Sequence, residues 1–155
     1  MRSNPKETKR RKRTIRVWTL EEATAAVPYI AAVARSLREH WLETAAKRQL
    51  AAHVDARPGR PNRATLVAKA EALREAEVAE NRYLDARDEL AALDIYSIEP
   101  ARGEALIGFV YENQFAWFVF DLFDNRPFRS WRYHTDPLGT RRPIAEVLVP
   151  AAKSA

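Results

Sequence analysis

The residues best equipped for chemistry lie in Phe128-Arg-Ser-Trp-Arg-Tyr-His134 and in the polar segment that follows it to Arg142. Alternation along an extended strand puts Ser130, Arg132 and His134 on one face, with Asp136 and the Arg141-Arg142 pair just beyond. A histidine beside a carboxylate is a candidate general base, and Asp136 or Asp121 is the group that can orient His134. Guanidinium forks suit carboxylate or phosphate, so Arg129, Arg132, Arg141 and Arg142 form a candidate anion receptor. Residues 126–142 hold five arginines against one acid, Asp136. The plainer account pairs these arginines with the acidic stretch at Glu71, Glu75, Glu77 and Glu80, and makes His134 a hydrogen-bonded residue at a strand end. Interleaving of Phe128, Arg129, Trp131, Arg132 and Tyr133 also suits base stacking beside phosphate contacts. Against that, Trp131 and Tyr133 share the face that must build the core.

Other chemistries are narrowed by what the chain lacks. With no cysteine there is no thiolate nucleophile, disulfide, iron–sulfur cluster or ordinary structural zinc site. The three histidines are His40, His53 and His134; the first two stand 13 apart, off the i, i+4 face that a helical ligand pair needs. Glycine occurs only at 59, 103, 108 and 139, so no phosphate-cradling glycine loop is present. No metal or cofactor is expected.

The net charge of +5 is unevenly spread. Residues 1–16 carry a net +7, from eight basic side chains and Glu7, whereas residues 17–155 carry −2. A basic, aperiodic segment buries too little apolar surface to offset the cost of ordering it, so residues 1–16 are expected to be a disordered arm. Lys9, Arg10, Arg11, Lys12, Arg13 and Arg16 are its candidate nucleic-acid contacts; the alternative is a solvated tail. The longest charge-free stretch, Ala23 to Ala34, has 12 residues, well short of the roughly 20 needed to span a bilayer. A soluble, cytoplasmic protein is expected.

Two long helices must position these groups. Thr19 and Glu22 make a capping box with Trp18 as its staple, and Leu20, Ala23, Val27, Ile30, Ala34, Leu37 and Trp41 follow at spacings of three and four. Pro28 predicts a bend near Ala25 to Pro28, and Leu42, Ala46, Leu50 and Val54 extend the helix to about Ala56. Arg57-Pro-Gly-Arg-Pro-Asn-Arg63 is a turn, with Asn62 as the next cap. From Ala64 to Leu93 a second helix is predicted, with Leu66, Ala70, Leu73, Ala76, Ala79, Tyr83, Ala86, Leu90 and Leu93 as a coiled-coil-like seam. So short a connection makes the pair antiparallel.

Ten of the fifteen aromatic residues fall between Ala105 and His134, predicting a meander of strands at 95–98, 105–111, 115–123 and 128–134. Phe115, Trp117, Val119, Asp121 and Phe123 share one face of the middle strand, and Ala116, Phe118, Phe120 and Leu122 the other. One apolar face covers the hairpin; the second calls for another partner, and a homodimer is the expected answer.

The order of elements resembles a bacterial family known only as domain of unknown function 2203. The likeness rests on Trp18-Thr-Leu-Glu-Glu-Ala23 with Pro28, on Leu93-Asp-Ile95 leading into the strands, and on His134 followed by Gly139 and Arg142-Pro-Ile144. It implies the fold and carries no activity.

The expected fold is therefore α+β: a long antiparallel helical hairpin packed on a small antiparallel β-meander, in a single domain over 17–149 (hairpin 17–93, meander and loop 94–144), with a tail at 150–155. The expected function is that of a non-enzymatic interaction or scaffolding protein that self-associates through the sheet face or hairpin. A nucleic-acid-binding accessory protein using the arm and the arginines of 126–142 is the alternative, and an enzyme or anion-binding protein acting at His134 the third.

Overall fold

The structure, a computed structural model, describes residues 14–148; Lys9 to Arg13 and the tail at 150–155 lie outside them. It is α+β, with two long packed helices on an antiparallel sheet. Helix α1 spans Leu20–Ala25 and α2 Val27–Asp55. Thr19 closes the capping box: its hydroxyl accepts the Glu22 N–H at 3.1 Å, and its own N–H donates to Glu22 Oε1 at 3.3 Å. The expected bend at Pro28 is a break at Ala26, which leaves Pro28 in the first turn of α2, where its missing N–H is not needed. Helix α3, Arg63–Ala91, starts at Asn62, whose side chain accepts the Thr65 N–H at 2.8 Å.

The sheet has five strands in chain order: β1 Ile95–Tyr96, β2 Glu104–Tyr111, β3 Gln114–Asp121, β4 Phe128–Tyr133 and β5 Arg142–Pro143. The last was expected to be loop, and a short helix α4, Ala145–Leu148, follows it. Glu112 and Asn113, both at positive φ, make the two-residue turn that matches the strand twist between β2 and β3. A register shift at Val119/Phe120 pairs Val119 with Ser130 and Phe120 with Phe128.

One sheet face packs on the proximal hairpin. Ala105, Ile107, Phe109, Ala116, Phe118, Phe120 and Trp131 meet Ile30, Val33, Ala34, Leu37, Ala86 and Leu90, with Phe109 stacked on Phe118 at 3.8 Å between ring centroids. Trp18 joins this core and ties the chain's beginning to the sheet. Its backbone N–H donates to the Gly108 carbonyl at 2.7 Å, and its indole to the Leu93 carbonyl at 3.3 Å.

The other face corrects an expectation. Leu106, Trp117 and Val119 are buried there without a second copy, packed with Tyr96 and Phe115. The loop after β4 returns across it, and Arg141 reaches Glu104 at the start of β2 at 2.9 Å. The motive for a dimer through this face is therefore met within the chain.

The seam of the hairpin also differs from its periodicity. Beyond Arg38 on α2 and before Tyr83 on α3, no helix residue belongs to the core on the sheet, so the distal hairpin projects from the body. At 1.5 Å per residue, Leu42 to Asp55 makes an arm about 20 Å long. Its buried residues are Thr44, Ala51, Ala72, Ala76 and Ala79, while Leu42, Leu50, Leu66 and Leu73, expected in the seam, are exposed. Small side chains let the helices approach closely, and the leucines cannot fit between them. Lys47 and Arg48 of α2 flank this seam in ion pairs with Glu75 and Glu80 of α3.

Candidate functional site

The candidate groups gather where β3 and β4 face the returning loop. Register sets Trp117 opposite Arg132 and Ala116 opposite Tyr133, so Trp117, Arg132 and His134 lie together on the outer face. His134 is exposed, and the loop's own turn places it: its N–H donates to the Phe115 carbonyl at 2.9 Å. The Trp117 indole N–H donates to His134 Nδ1 at 3.1 Å. An indole nitrogen is only a donor, so Nδ1 is the acceptor and the neutral ring carries its proton on Nε2. That tautomer turns an N–H outward rather than a base. The expected orienting carboxylate is engaged elsewhere. Asp136 accepts from Arg142 at 2.8 and 3.0 Å and from the Tyr133 N–H at 2.9 Å, and Asp121 accepts the Phe123 N–H.

Each sheet-end arginine that was a candidate anion receptor has a local engagement. Arg129 forks onto Asp124 at 2.6 and 2.9 Å and reaches Asn125. Arg141 binds Glu104 and the carbonyls of Leu138 and Thr140. Arg142 holds Asp136 and stacks on Tyr133, 4.9 Å from the ring centroid. Arg132 is buried, at 3% exposure, and donates to the carbonyls of Tyr133 and Asp136 at 3.3 and 3.4 Å, with its Nε unpartnered. Its side chain is thus almost wholly closed off from solvent. The pairing with α3 foreseen for these arginines does not form either; Glu75 and Glu80 are taken by α2.

Electrostatics follow this pairing. The Arg129 fork, helped by the Arg126 N–H, holds the Asp124 carboxyl down at about 2. The Arg142 hydrogen bond likewise lowers Asp136, and the same bond raises Arg142. Burial, then the neighbouring Arg141, lowers Arg132, while Asp136 opposes that shift.

The stacking platform proves to be core: Trp131 is 1% exposed, donates its indole N–H to the Pro143 carbonyl at 3.2 Å, and packs edge-on to Phe109 and Tyr111. Of the N-terminal cations only Arg16 falls in the described residues. Its N–H donates to Asp94 at 2.8 Å, its guanidinium lies 3.8 Å from the Trp18 ring centroid, and Glu22 is 3.8 Å away, so it anchors the chain. Among the described residues no three His, Asp or Glu side chains converge as metal ligands, and no helix is long and apolar enough to cross a membrane.

The acceptors Glu104 and Asp124 and the donor Trp117 were missed as members of this cluster. Asp124 had a local signal, as an aspartate opening a turn; the other two are brought in by strand register, which pairs residues distant in sequence. No protein-family model, curated protein or solved structure matches this chain.

Proposed function

We propose that this chain is a non-enzymatic interaction protein of the cytoplasm that self-associates through its projecting hairpin. The observation that carries this reading is the inverted distribution of side chains on the arm: alanines inside, aliphatics outside. Leu42, Leu50, Leu66, Val67, Leu73 and Val78 stand between 39% and 51% exposed. Leu42, Ala46 and His53 lie two residues out of step with Thr44 and Ala51, roughly 200° around α2 from the α3-facing seam. Leu66, Ala70 and Leu73 repeat at four and three on α3. Each helix thus carries a second stripe that its partner leaves uncovered, and the α2 stripe lines a shallow groove of about 300 Å³ with Ala46, Gln49, Leu50 and His53.

Covering the exposed part of each aliphatic contributes on the order of 1 kcal/mol. Two hairpins packed as a four-helix bundle bury the stripes of both copies and give the thin alanine seam a second layer. The order of elements supports assigning the chain to domain of unknown function 2203 as a divergent bacterial member. The sheet end, with its internally matched charges and donor-presenting His134, supports a structural role there.

The test is solution mass by light scattering across a concentration series, with Leu50→Glu/Leu73→Glu as the variant. A wild-type dimer that the variant reduces to monomer, with helicity retained, supports the reading. A wild-type monomer at the highest soluble concentration defeats it.

A further inference from the structure

The end of the arm gathers three cations that no carboxylate among the described residues neutralises. Residues 1–13 account for +6 of the chain's +5 and residues 149–155 for +1, so residues 14–148 net −2. Over the arm as a whole, residues 42–82, eight basic side chains stand against six acids for a net +2, and the remaining described residues net −4. Lys47, Arg48 and Lys69 are engaged by Glu75, Glu80 and Asp55. Among the described residues Arg57, Arg60 and Arg63 form no ion pair, in contrast to Arg129, Arg141 and Arg142 at the sheet end. Arg57 and Arg60 lie in the turn at the arm's outermost point and Arg63 opens α3 beside it; all three are exposed.

The turn is built to hold them there. Pro58 and Pro61 restrict its backbone, and Gly59 takes φ +94, open to solvent with no neighbouring atom within 4 Å of where a Cβ would stand. A cleft of about 190 Å³ opens beneath, walled by Val54, Pro58, Pro61 and Thr65. Helix axes in such a pair stand about 8–10 Å apart, so three guanidinium forks share a tip only a few phosphates wide.

We infer that Arg57, Arg60 and Arg63 form a phosphate-backbone contact surface for nucleic acid, presented at the end of the hairpin arm. A polyanion is the complement of a concentrated, unpaired positive tip. Between the arginines the turn offers Pro, Gly, Pro and Asn, with no large aliphatic or aromatic side chain to insert among lipid chains, so a bilayer is the poorer fit. The contact is sequence-independent, because the turn contributes phosphate-binding forks and no base-reading platform. The negative body keeps the arm's tip, rather than the sheet, turned toward the polymer.

The experiment uses the full chain and fluorescein-labelled RNA and DNA, single- and double-stranded, of random sequence, with anisotropy measured over a salt series. Arg57→Ala/Arg60→Ala/Arg63→Ala is compared with wild type and with a chain lacking residues 1–13. Losing three phosphate contacts should reduce the log–log salt slope on duplex DNA by about 2–3 and weaken binding on the order of 100-fold at 0.15 M salt. Arg→Lys at the three positions should restore most of the slope, and the thermal midpoint should be unchanged. The inference is overturned if the triple variant keeps the wild-type slope, so that residues 1–13 account for all binding. It is equally overturned if no probe binds, or if anionic phosphatidylserine vesicles or poly-glutamate compete as strongly as nucleic acid of equal charge.

Discussion

The Trp117 indole N–H and His134 Nδ1 meet at 3.1 Å, joining a buried β3 aromatic to an exposed residue just past β4. The bond requires the Nε2–H tautomer in the neutral ring. Long-range ¹⁵N–¹H correlation spectra at alkaline pH should show Nε2 protonated and Nδ1 bare in wild type, and a mixture of tautomers in Trp117→Phe. A protonated Nδ1 in wild type would sink the assignment. His134→Ala removes the acceptor of a part-buried indole N–H that water can then reach, and should cost about 0.5–1.5 kcal/mol in denaturant unfolding. Once Trp117 is already Phe, the same substitution should cost much less.

Asp124 gives the β3–β4 turn its acid sensitivity. Its carboxyl sits at about 2 in the folded protein because of Arg129 and the Arg126 N–H, against roughly 3.9 when unfolded. A folded value below the unfolded one stabilises above pH 4, and the contribution disappears as pH falls through 2. The thermal midpoint of wild type should therefore drop more steeply between about pH 4 and pH 2 than that of Asp124→Asn. Parallel curves would show that the fork on Arg129 is not coupled to folding.

Two glycines, Gly103 just before β2 and Gly108 within it, should respond differently to alanine. Gly103 sits at φ +68, and a Cβ there would come within 2.9 Å of Leu122 Cβ, an atom fixed to the backbone. Gly103→Ala should lose about 1–3 kcal/mol, from the left-handed backbone and the displaced chain together. At Gly108 the obstacle is the ring tip of Phe115 at 2.9 Å, on a partly exposed side chain that can rotate aside. Gly108→Ala should cost less than Gly103→Ala in chemical denaturation; the reverse order would place the strain wrongly.

The contrast between these sites and the helices shows what one sequence makes legible. Thr19-x-x-Glu22, Asn62 and the aromatic runs act locally, through caps and alternation, and the elements they announced are present. Pairings between distant residues were not legible. Periodicity marks Leu66 and Leu73 as a stripe without saying which stripe faces α2, and the neighbours at close approach are alanines. Register alone brings Trp117 to His134, and a returning loop brings Arg141 to Glu104. The sheet end attracted a reading as an anion receptor because its arginines are counted easily along the chain, whereas Glu104 lies 37 residues from its partner.

That inversion of the hairpin seam makes a prediction opposite in sign to hydrophobicity. Ala76 is 3% exposed and lies in the α3 stripe of alanines that faces α2. A leucine there adds apolar volume where close approach leaves none, so Ala76→Leu should force the helices apart and cost about 1–3 kcal/mol. Val67, on the same helix, is 49% exposed and lies off that stripe. Val67→Ala removes apolar surface but raises helix propensity, so it should stay within about 0.5 kcal/mol of wild type. Urea unfolding at low protein concentration, where self-association does not intrude, measures both. If Ala76→Leu were neutral or stabilising, the seam would have slack, and the exclusion of Leu66 and Leu73 from it would need a different cause.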